Sequence, residues 1–491
     1  MSDHVRTLAD LGLAAQNGRE VRITGLSVDS RETKAGHLFA ALPGSRVHGA
    51  EFVQYAVRMG AVAVLTDRDG ARMLGDLGDV ALVVAEEPRQ ALAYASALWF
   101  GATPGTVVAV TGTNGKTSVA SFTRQIWMAM GLDAVNLGTT GVEGAWTTPL
   151  HHTTPEPITL HRVLAEASQA GITHVAMEAS SHGLDQFRLD GVTLAAAGFS
   201  NFTQDHLDYH ADFEEYFEAK AGLFDRVLPE DGVAVINSDD PKGAAMRAVA
   251  ERRGQDVLTV GRAADAALRI TGQRFDATGQ ELRFTWNGAA RQVRLGLIGG
   301  FQADNVLLAA GLAIGAGADP RDVFDVLPML DTVRGRMQLA ATRNNGAAVF
   351  VDYAHTPAAL ETALQALRPH VMGRLIVVYG AGGDRDKGKR PLMGTAARDH
   401  ADVRYVTDDN PRSEEPAAIR REILKSDDQA IEVADRAEAI LRGVDALEPG
   451  DALLIAGKGH ETGQTIGDTV YPFDDAEQAS LAVAALDGRV V

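Results

Sequence analysis

The sequence predicts an α/β protein of three domains, on three observations. Its 491 residues exceed what one hydrophobic core supports, so about two to four domains are expected. Short runs of β-forming apolar residues alternate with stretches of helical periodicity along most of the chain. Several of those runs end in polar, glycine-bearing clusters, as parallel strands do where their carboxyl ends line a ligand site. The resulting division is a small N-terminal α/β domain over residues 1–101, a central domain with a largely parallel sheet over 102–333, and a C-terminal, doubly wound domain over 334–491.

Taken in order, 21–28 and 61–66 read as strands, 50–59 as a helix, and 81–85 as a further strand. Residues 90–100 read as a helix that ends in Gly101-Ala102-Thr103-Pro104-Gly105, the first boundary. The central region opens with VVAVTGTNGKTS, residues 107–118, an apolar strand that runs into a glycine-bearing turn and then a helical segment. Residues 172–177 form a strand ending in Glu178-Ala179-Ser180-Ser181-His182-Gly183, and 194–199 one ending in SNFTQDHLD. Residues 211–224 read as a helix containing Lys220, and 233–236 as a strand. From Leu268 to Leu297 the period changes to two, which predicts an antiparallel addition with turns at 277–280 and Asn287-Gly288. Helical segments follow at 304–316 and 321–330. In the third region, strands at 348–351, 374–379, 403–406 and 452–455 each end in a polar cluster.

Composition narrows the function classes. Hydrophobic residues at 45% and charged residues at 23% are the balance of a soluble globular protein. Lys+Arg 46 against Asp+Glu 65 leaves a net charge of −19, which argues against nucleic acid or an anionic membrane as partner. Anionic small substrates stay open, because they need only local basic clusters. The absence of cysteine excludes disulfides, thiolate catalysis and thiolate-ligated metal. MSDHVRTLAD has no basic region followed by an apolar core, so no signal peptide is expected. With no apolar run of membrane-spanning length, a cytoplasmic location is expected.

The turn Gly112-Thr113-Asn114-Gly115-Lys116-Thr117-Ser118 carries the first chemistry. Successive backbone N–H groups ahead of a helix cradle phosphate oxygens, Lys116 adds a positive charge, and the Thr117 hydroxyl is placed for Mg²⁺. Val110 stands where the general phosphate loop has its first glycine. Glu178 and His206, near strand ends, can ligate a second divalent cation, although Mg²⁺ prefers oxygen and His206 fits a hydrogen-bonded structural role as well. Lys220 in Glu218-Ala219-Lys220-Ala221 reads as a plain helix-surface lysine. The charge run 384–390 reads as a solvated loop. Arg412, behind Asn410-Pro411, is set to grip a carboxylate bidentately.

TGTNGKTS, MEASSHGLDQFRLDG, SNFTQDHLDYH, YFEAKAGL, VDYAHTP, GAGGDRDKGKRPLM, TDDNPRSEEP and AGKGHETGQ occur in this order. Together they resemble the Mur ligases of peptidoglycan synthesis, most of all the diaminopimelate-adding type. The resemblance spans nearly the whole chain. It implies an N-terminal domain for the UDP end of the substrate, a central P-loop-type ATPase domain, and a Rossmann-like C-terminal domain that brings the amino acid.

By the same resemblance, Gly112 to Ser118 form the ATP loop, with Asn305, Arg336 and Asp352 at the adenosine. Lys116, Glu178, His206 and Lys220 would be catalytic. Thr117, Glu178, His206 and Lys220 would lie at two Mg²⁺ ions, Lys220 being carboxylated on its ε-nitrogen. Val28, Ser30, Ser45, Arg46 and Val47 resemble uridine-nucleotide contacts. Thr153, Thr154, Ser180, Gln186 and Arg188 resemble contacts to the muramoyl-dipeptide. Arg390, Asp409, Asn410, Pro411, Arg412, Gly457 and Glu461 match a diaminopimelate pocket. Gln302 replaces a common asparagine, and Ser118 a frequent threonine.

The implied reaction is ATP-driven amide formation through an acyl phosphate. Its substrates would be UDP-N-acetylmuramoyl-L-alanyl-D-glutamate and meso-diaminopimelate, and the chain is expected to be monomeric. A lysine-adding Mur ligase and a folylpolyglutamate synthetase share the architecture. A nucleotide-regulated binding protein that makes no bond is the alternative of a different class.

Overall fold

The computed structural model describes residues 5–16, 18–44, 47–150, 152–203, 209–210 and 212–488. By its contacts the chain divides into two compact units, Met1–Leu268 with Leu307–Phe324 and Arg269–Val306 with Asp325–Val491.

Among the described residues the first unit holds strands of three sheets, the smallest being the antiparallel pair Arg6–Thr7 and Arg22–Ile23. Gly25–Ser27, His37–Ala40, Ala63–Thr66 and Ala81–Val84 form a parallel sheet in sequence order. The run predicted as one strand over 21–28 is broken at Thr24 into Arg22–Ile23 and Gly25–Ser27, which pair in different sheets. Helix Pro88–Phe100 starts with proline in its first turn and stops at Gly101, whose φ of 70° suits a residue without Cβ. Its Leu92, Ala95 and Trp99 pack on Leu38, Ala63 and Leu65 of the sheet.

The parallel sheet that follows places the Gly112–Ser118 turn. Its strands run in the order Asp256–Gly261, Val233–Asn237, Ala196–Phe199, Thr106–Thr111, His174–Glu178, Ala134–Gly138, Gly141–Gly144. All pairs are parallel except the last. The chain leaves Thr111 to one side for 134–138 and 174–178, then crosses to the other side for 196–199. The carboxyl end of Thr106–Thr111 is therefore the switch point, where connections diverge and leave a crevice. Val107 and Ala109 face a core with Val175, Met177, Ala197 and Phe199, which holds the three strand ends in register.

In the second unit, Gly279–Trp286 and Ala289–Leu295 pair antiparallel around Asn287 and Gly288, both with positive φ, as the Asn-Gly signal predicts. A six-stranded sheet has the order Gln338–Thr342, Ala348–Asp352, Ala452–Ala456, Leu375–Tyr379, Val403–Val406, Ile431–Glu432. Only its first pair is antiparallel. The four predicted strands are its core, and their carboxyl ends carry the polar clusters. A hairpin of Gly463–Ile466 and Thr469–Pro472, which the apolar pattern does not announce, follows the last of them.

Candidate active site

Strand Thr106–Thr111 hands over to the loop at Gly112, whose φ is 149° and where a Cβ would run into Ser200 Oγ. Gly115, at φ 86°, turns the chain into helix Lys116–Ala129. The loop is braced from the next strand. Ser200 Oγ donates to Asn114 O at 2.6 Å, and Asn201 accepts from the Asn114 amide at 2.9 Å and donates to its carbonyl at 3.0 Å. Lys116 Nζ reaches back to the carbonyls of Gly112 (2.8 Å) and Thr113 (2.9 Å).

On the other side, Thr117 Oγ1 donates to Glu178 Oε2 at 3.0 Å. Glu178, buried at the end of its strand, also accepts from the Thr139 amide at 2.8 Å. Gly138 makes room for it, since a Cβ there would collide with the Glu178 carboxylate. A threonine hydroxyl against a carboxylate beside a phosphate cradle is an oxygen donor set that suits Mg²⁺. Among the described residues no group of three or more His, Cys, Asp or Glu is placed to hold a metal ion. His206 lies outside the described residues, as do Ser45 and Arg46.

Lys220 corrects the surface-lysine reading. It is 1% exposed, its Nζ donates to Gly112 O at 2.9 Å, and it stands 4.5 Å from the centre of the Tyr216 ring. Helical spacing leaves a lone lysine unplaced, and only the packing of helix Phe213–Gly222 against the loop turns it inward.

Residues expected at the muramoyl-dipeptide form one connected group. Thr139 Oγ1 meets Thr153 Oγ1 at 3.0 Å. Thr154 Oγ1 donates to Glu178 O at 2.9 Å and accepts from the Ser180 amide at 3.1 Å. Arg188 donates to Thr154 O at 2.6 Å and to Gln186 Oε1 at 2.8 Å. In the N-terminal sheet domain, Val28 and Val47 are exposed, whereas Ser30 is buried under the turn capped by Asp29.

In the second unit, Asn305 Nδ2 donates to Gln302 Oε1 at 3.1 Å. The Asp352 carboxylate accepts from the amides of Met337 (2.7 Å) and Ala354 (2.9 Å). Burial raises the Asp352 pKa, while Arg336 and those amides oppose the rise. The Arg336 guanidinium stacks 4.7 Å from the centre of Tyr353, whose ring also faces His460. Burial, with Arg336 and Arg334 nearby, pushes the His460 imidazole down to about 4, so it is neutral at pH 7.

Asp409 to Arg412 and Gly457 to Glu461 come together across the end of Leu375–Tyr379, the strand between the two that they follow. Asn410 Nδ2 donates to Glu461 Oε2 at 2.9 Å, and Lys458 Nζ reaches both Asn410 Oδ1 (3.0 Å) and Glu461 Oε2 (3.2 Å). Gly457 has φ 118°, and a Cβ on it would come within 2.5 Å of Asp409 Oδ2. Pro411 is buried, and Arg412 Nη1 donates to Gly383 O at 2.8 Å. The run 384–388 is exposed as expected, but Arg390 is not. Arg390 is fully buried, paired with Glu414 at 2.8 Å and Glu422 at 2.9 Å, so it ties the run to the far end of the Asn410–Glu414 turn.

Sequence reasoning passed over Thr139, Ser200, Asn201 and Lys458. The last three lie inside quoted motifs. Thr139 follows a strand whose Asn136 interrupts the apolar run, which hides the strand and the turn after it.

Three family models match in order: "Mur ligase family, catalytic domain" over residues 22–96, "Mur ligase middle domain" over 110–313, and "Mur ligase, glutamate ligase domain" over 335–459. A UDP-N-acetylmuramoyl-L-alanyl-D-glutamate–2,6-diaminopimelate ligase of Bradyrhizobium diazoefficiens is 49% identical, covering 95% of this chain and 96% of its own. The like-named protein of Brucella melitensis is 48% identical, with 96% of each chain covered. A solved structure of a UDP-N-acetylmuramoyl-L-alanyl-D-glutamate–2,6-diaminopimelate ligase superposes with TM-score 0.73 at 33% identity, over 98% of this chain and 99% of that one. With matches to the three constituent domains in their family order and near-complete coverage by these relatives, the chain belongs to the Mur ligase family and is a ligase.

Proposed function

We propose that this chain joins UDP-N-acetylmuramoyl-L-alanyl-D-glutamate to meso-diaminopimelate at the expense of ATP, as a cytoplasmic, monomeric step of peptidoglycan precursor synthesis. Domain boundaries near 101 and 333 accompany this reading, each family match falling inside one domain. One observation carries it: a phosphate cradle with Lys116 sits at a sheet switch point directly beside the Thr117–Glu178 pair.

The D-glutamate side-chain carboxylate attacks the γ-phosphorus of ATP, the bond to the β-phosphate oxygen breaks, and ADP leaves an acyl phosphate. The diaminopimelate amine, having lost a proton, attacks the acyl carbon, and the tetrahedral adduct expels phosphate. Two anions must meet in the first step, so positive charge at the transferring phosphoryl group matters most. Loop amides and Lys116 supply it, Lys116 exchanging its carbonyl acceptors for phosphate oxygens. Thr117 and Glu178, with His206 and a carboxylated Lys220, would hold Mg²⁺, which supplies further charge neutralisation when bound. Thr153, Thr154, Ser180, Gln186 and Arg188 would orient the peptide carboxylate. Arg412 and Glu461 are opposite-sign partners for the distal carboxylate and ammonium of a zwitterionic amino acid.

The test is phosphate release with ATP and the UDP-muramoyl-dipeptide, across meso-diaminopimelate, lysine and ornithine. Release that needs both co-substrates and favours meso-diaminopimelate is the expected result. ATP binding without turnover would overturn it in favour of a nucleotide-regulated binding protein.

A further inference from the structure

Arg412 is held in an unusual backbone state. Its φ is 50°, in the left-handed region that a side chain with Cβ rarely adopts. Such a conformation persists only where the surroundings over-determine it. Here the surroundings are the hairpin of Gly463–Ile466 and Thr469–Pro472.

The hairpin spends its inner edge on the Asp409–Arg412 turn. Gln464 Nε2 donates to Asp409 O at 2.7 Å, and the Thr465 amide donates to Asn410 Oδ1 at 2.9 Å. The Arg412 amide donates to Thr465 O at 3.1 Å, and the Gly467 amide to Arg412 O at 2.8 Å. The outer strand, Thr469–Pro472, is exposed throughout. A lone two-stranded hairpin is marginal in water, so its order and that of the turn support each other. The Arg412 guanidinium meanwhile lies along bare backbone, because a Cβ on Gly382 would come within 2.9 Å of Nη1.

We propose that this hairpin is the strap that sets amino-acid selectivity, with Gln464 as a positioning residue that fixes the direction of Arg412. The inference rests on the reading that the Asp409–Arg412 turn holds the amino acid. A bidentate grip on a second carboxylate tolerates little angular error, whereas an amino acid without that group asks nothing of Arg412. Loosening the strap therefore penalises the dicarboxylic substrate selectively.

The test uses the full-length enzyme with Gln464→Met, which removes the donor, and Gln464→Glu, which keeps the shape but only accepts. Each should lower the ratio of kcat/KM for meso-diaminopimelate over lysine by about tenfold, the scale of one lost hydrogen bond. The change should sit in KM for meso-diaminopimelate, with KM for ATP and for the UDP-muramoyl-dipeptide unmoved. A purely structural role would lower Tm and all activities together at an unchanged ratio, and an unchanged ratio overturns the proposal. Wild-type enzyme that does not use meso-diaminopimelate overturns the functional reading and this inference with it. Amide exchange in the wild type gives a readout free of mutation. With the nucleotide substrate and a non-hydrolysable ATP analogue present, meso-diaminopimelate should slow exchange at Arg412 and Gly467, and lysine should not. Equal protection by both amino acids also overturns it.

Discussion

Lys116 and Lys220 converge on one acceptor: both ammonium groups donate to the carbonyl of Gly112, at 2.8 and 2.9 Å. Two cations so placed repel each other. On the proposed function, an arriving triphosphate would relieve that repulsion by drawing Lys116 forward, and carboxylation of Lys220 would relieve it by reversing the sign of the second charge. The shared carbonyl would then link phosphate binding to the chemical state of Lys220.

Lys116→Ala is expected to cut turnover roughly 10²–10⁴-fold by deleting charge stabilisation at the transferring phosphoryl group. Circular dichroism and Tm should stay close to wild type. Near wild-type phosphate release from a folded variant would rule out the loop assignment.

Lys220→Arg keeps a positive charge but cannot form a carbamate, so it should be nearly inactive. Lys220→Glu is expected to retain a little activity if its shorter carboxylate reaches the metal. In wild-type protein equilibrated with ¹³C-labelled CO₂ and Mg²⁺, carbon NMR should show a carbamate signal that Lys220→Arg lacks. Full activity of Lys220→Arg would exclude this role.

Arg412→Ala should cost about 2–5 kcal/mol in kcat/KM for meso-diaminopimelate, the scale of removing one partner from a desolvated charge pair. The loss with lysine should be much smaller. Comparing the two amino acids in one phosphate-release assay separates a selectivity role from a structural one, for which the losses would be equal.

The acid side of the stability profile should report Glu414. The Arg390 guanidinium, with the Asp384 amide and Lys387, lowers its carboxyl from the ordinary 4.5 to about 2. The folded pKa lies below the unfolded one, so the stabilisation is fully present above pH 4.5 and fades as pH falls towards 2. Glu414→Gln should lower Tm at neutral pH and flatten the decline of Tm across that window. A Tm profile with the wild-type slope would show that Glu414 does not set it.

How much was legible varied with the range of the interaction concerned. Asn287-Gly288 announces its hairpin because a type I′ turn needs two residues with positive φ in succession. Strand Gly463–Ile466 gives no such signal, since its order comes from bonds to the Arg412 backbone and the Asn410 side chain, more than fifty residues upstream for Thr465.

Sequence alone determined the alternation of strands and helices, the glycine-bearing turn after Thr111, and the polar clusters at strand ends. Each is written in nearest-neighbour terms, as periodicity, turn chemistry and the residues flanking a strand. Tertiary structure decided which polar groups share a pocket and which are consumed by packing. Lys220 looked like a surface lysine and is buried on Gly112; Arg390 sat in a charge run and is locked to Glu414 and Glu422. Burial of a charge depends on partners that other strands and helices deliver, and a one-dimensional pattern does not encode that desolvation.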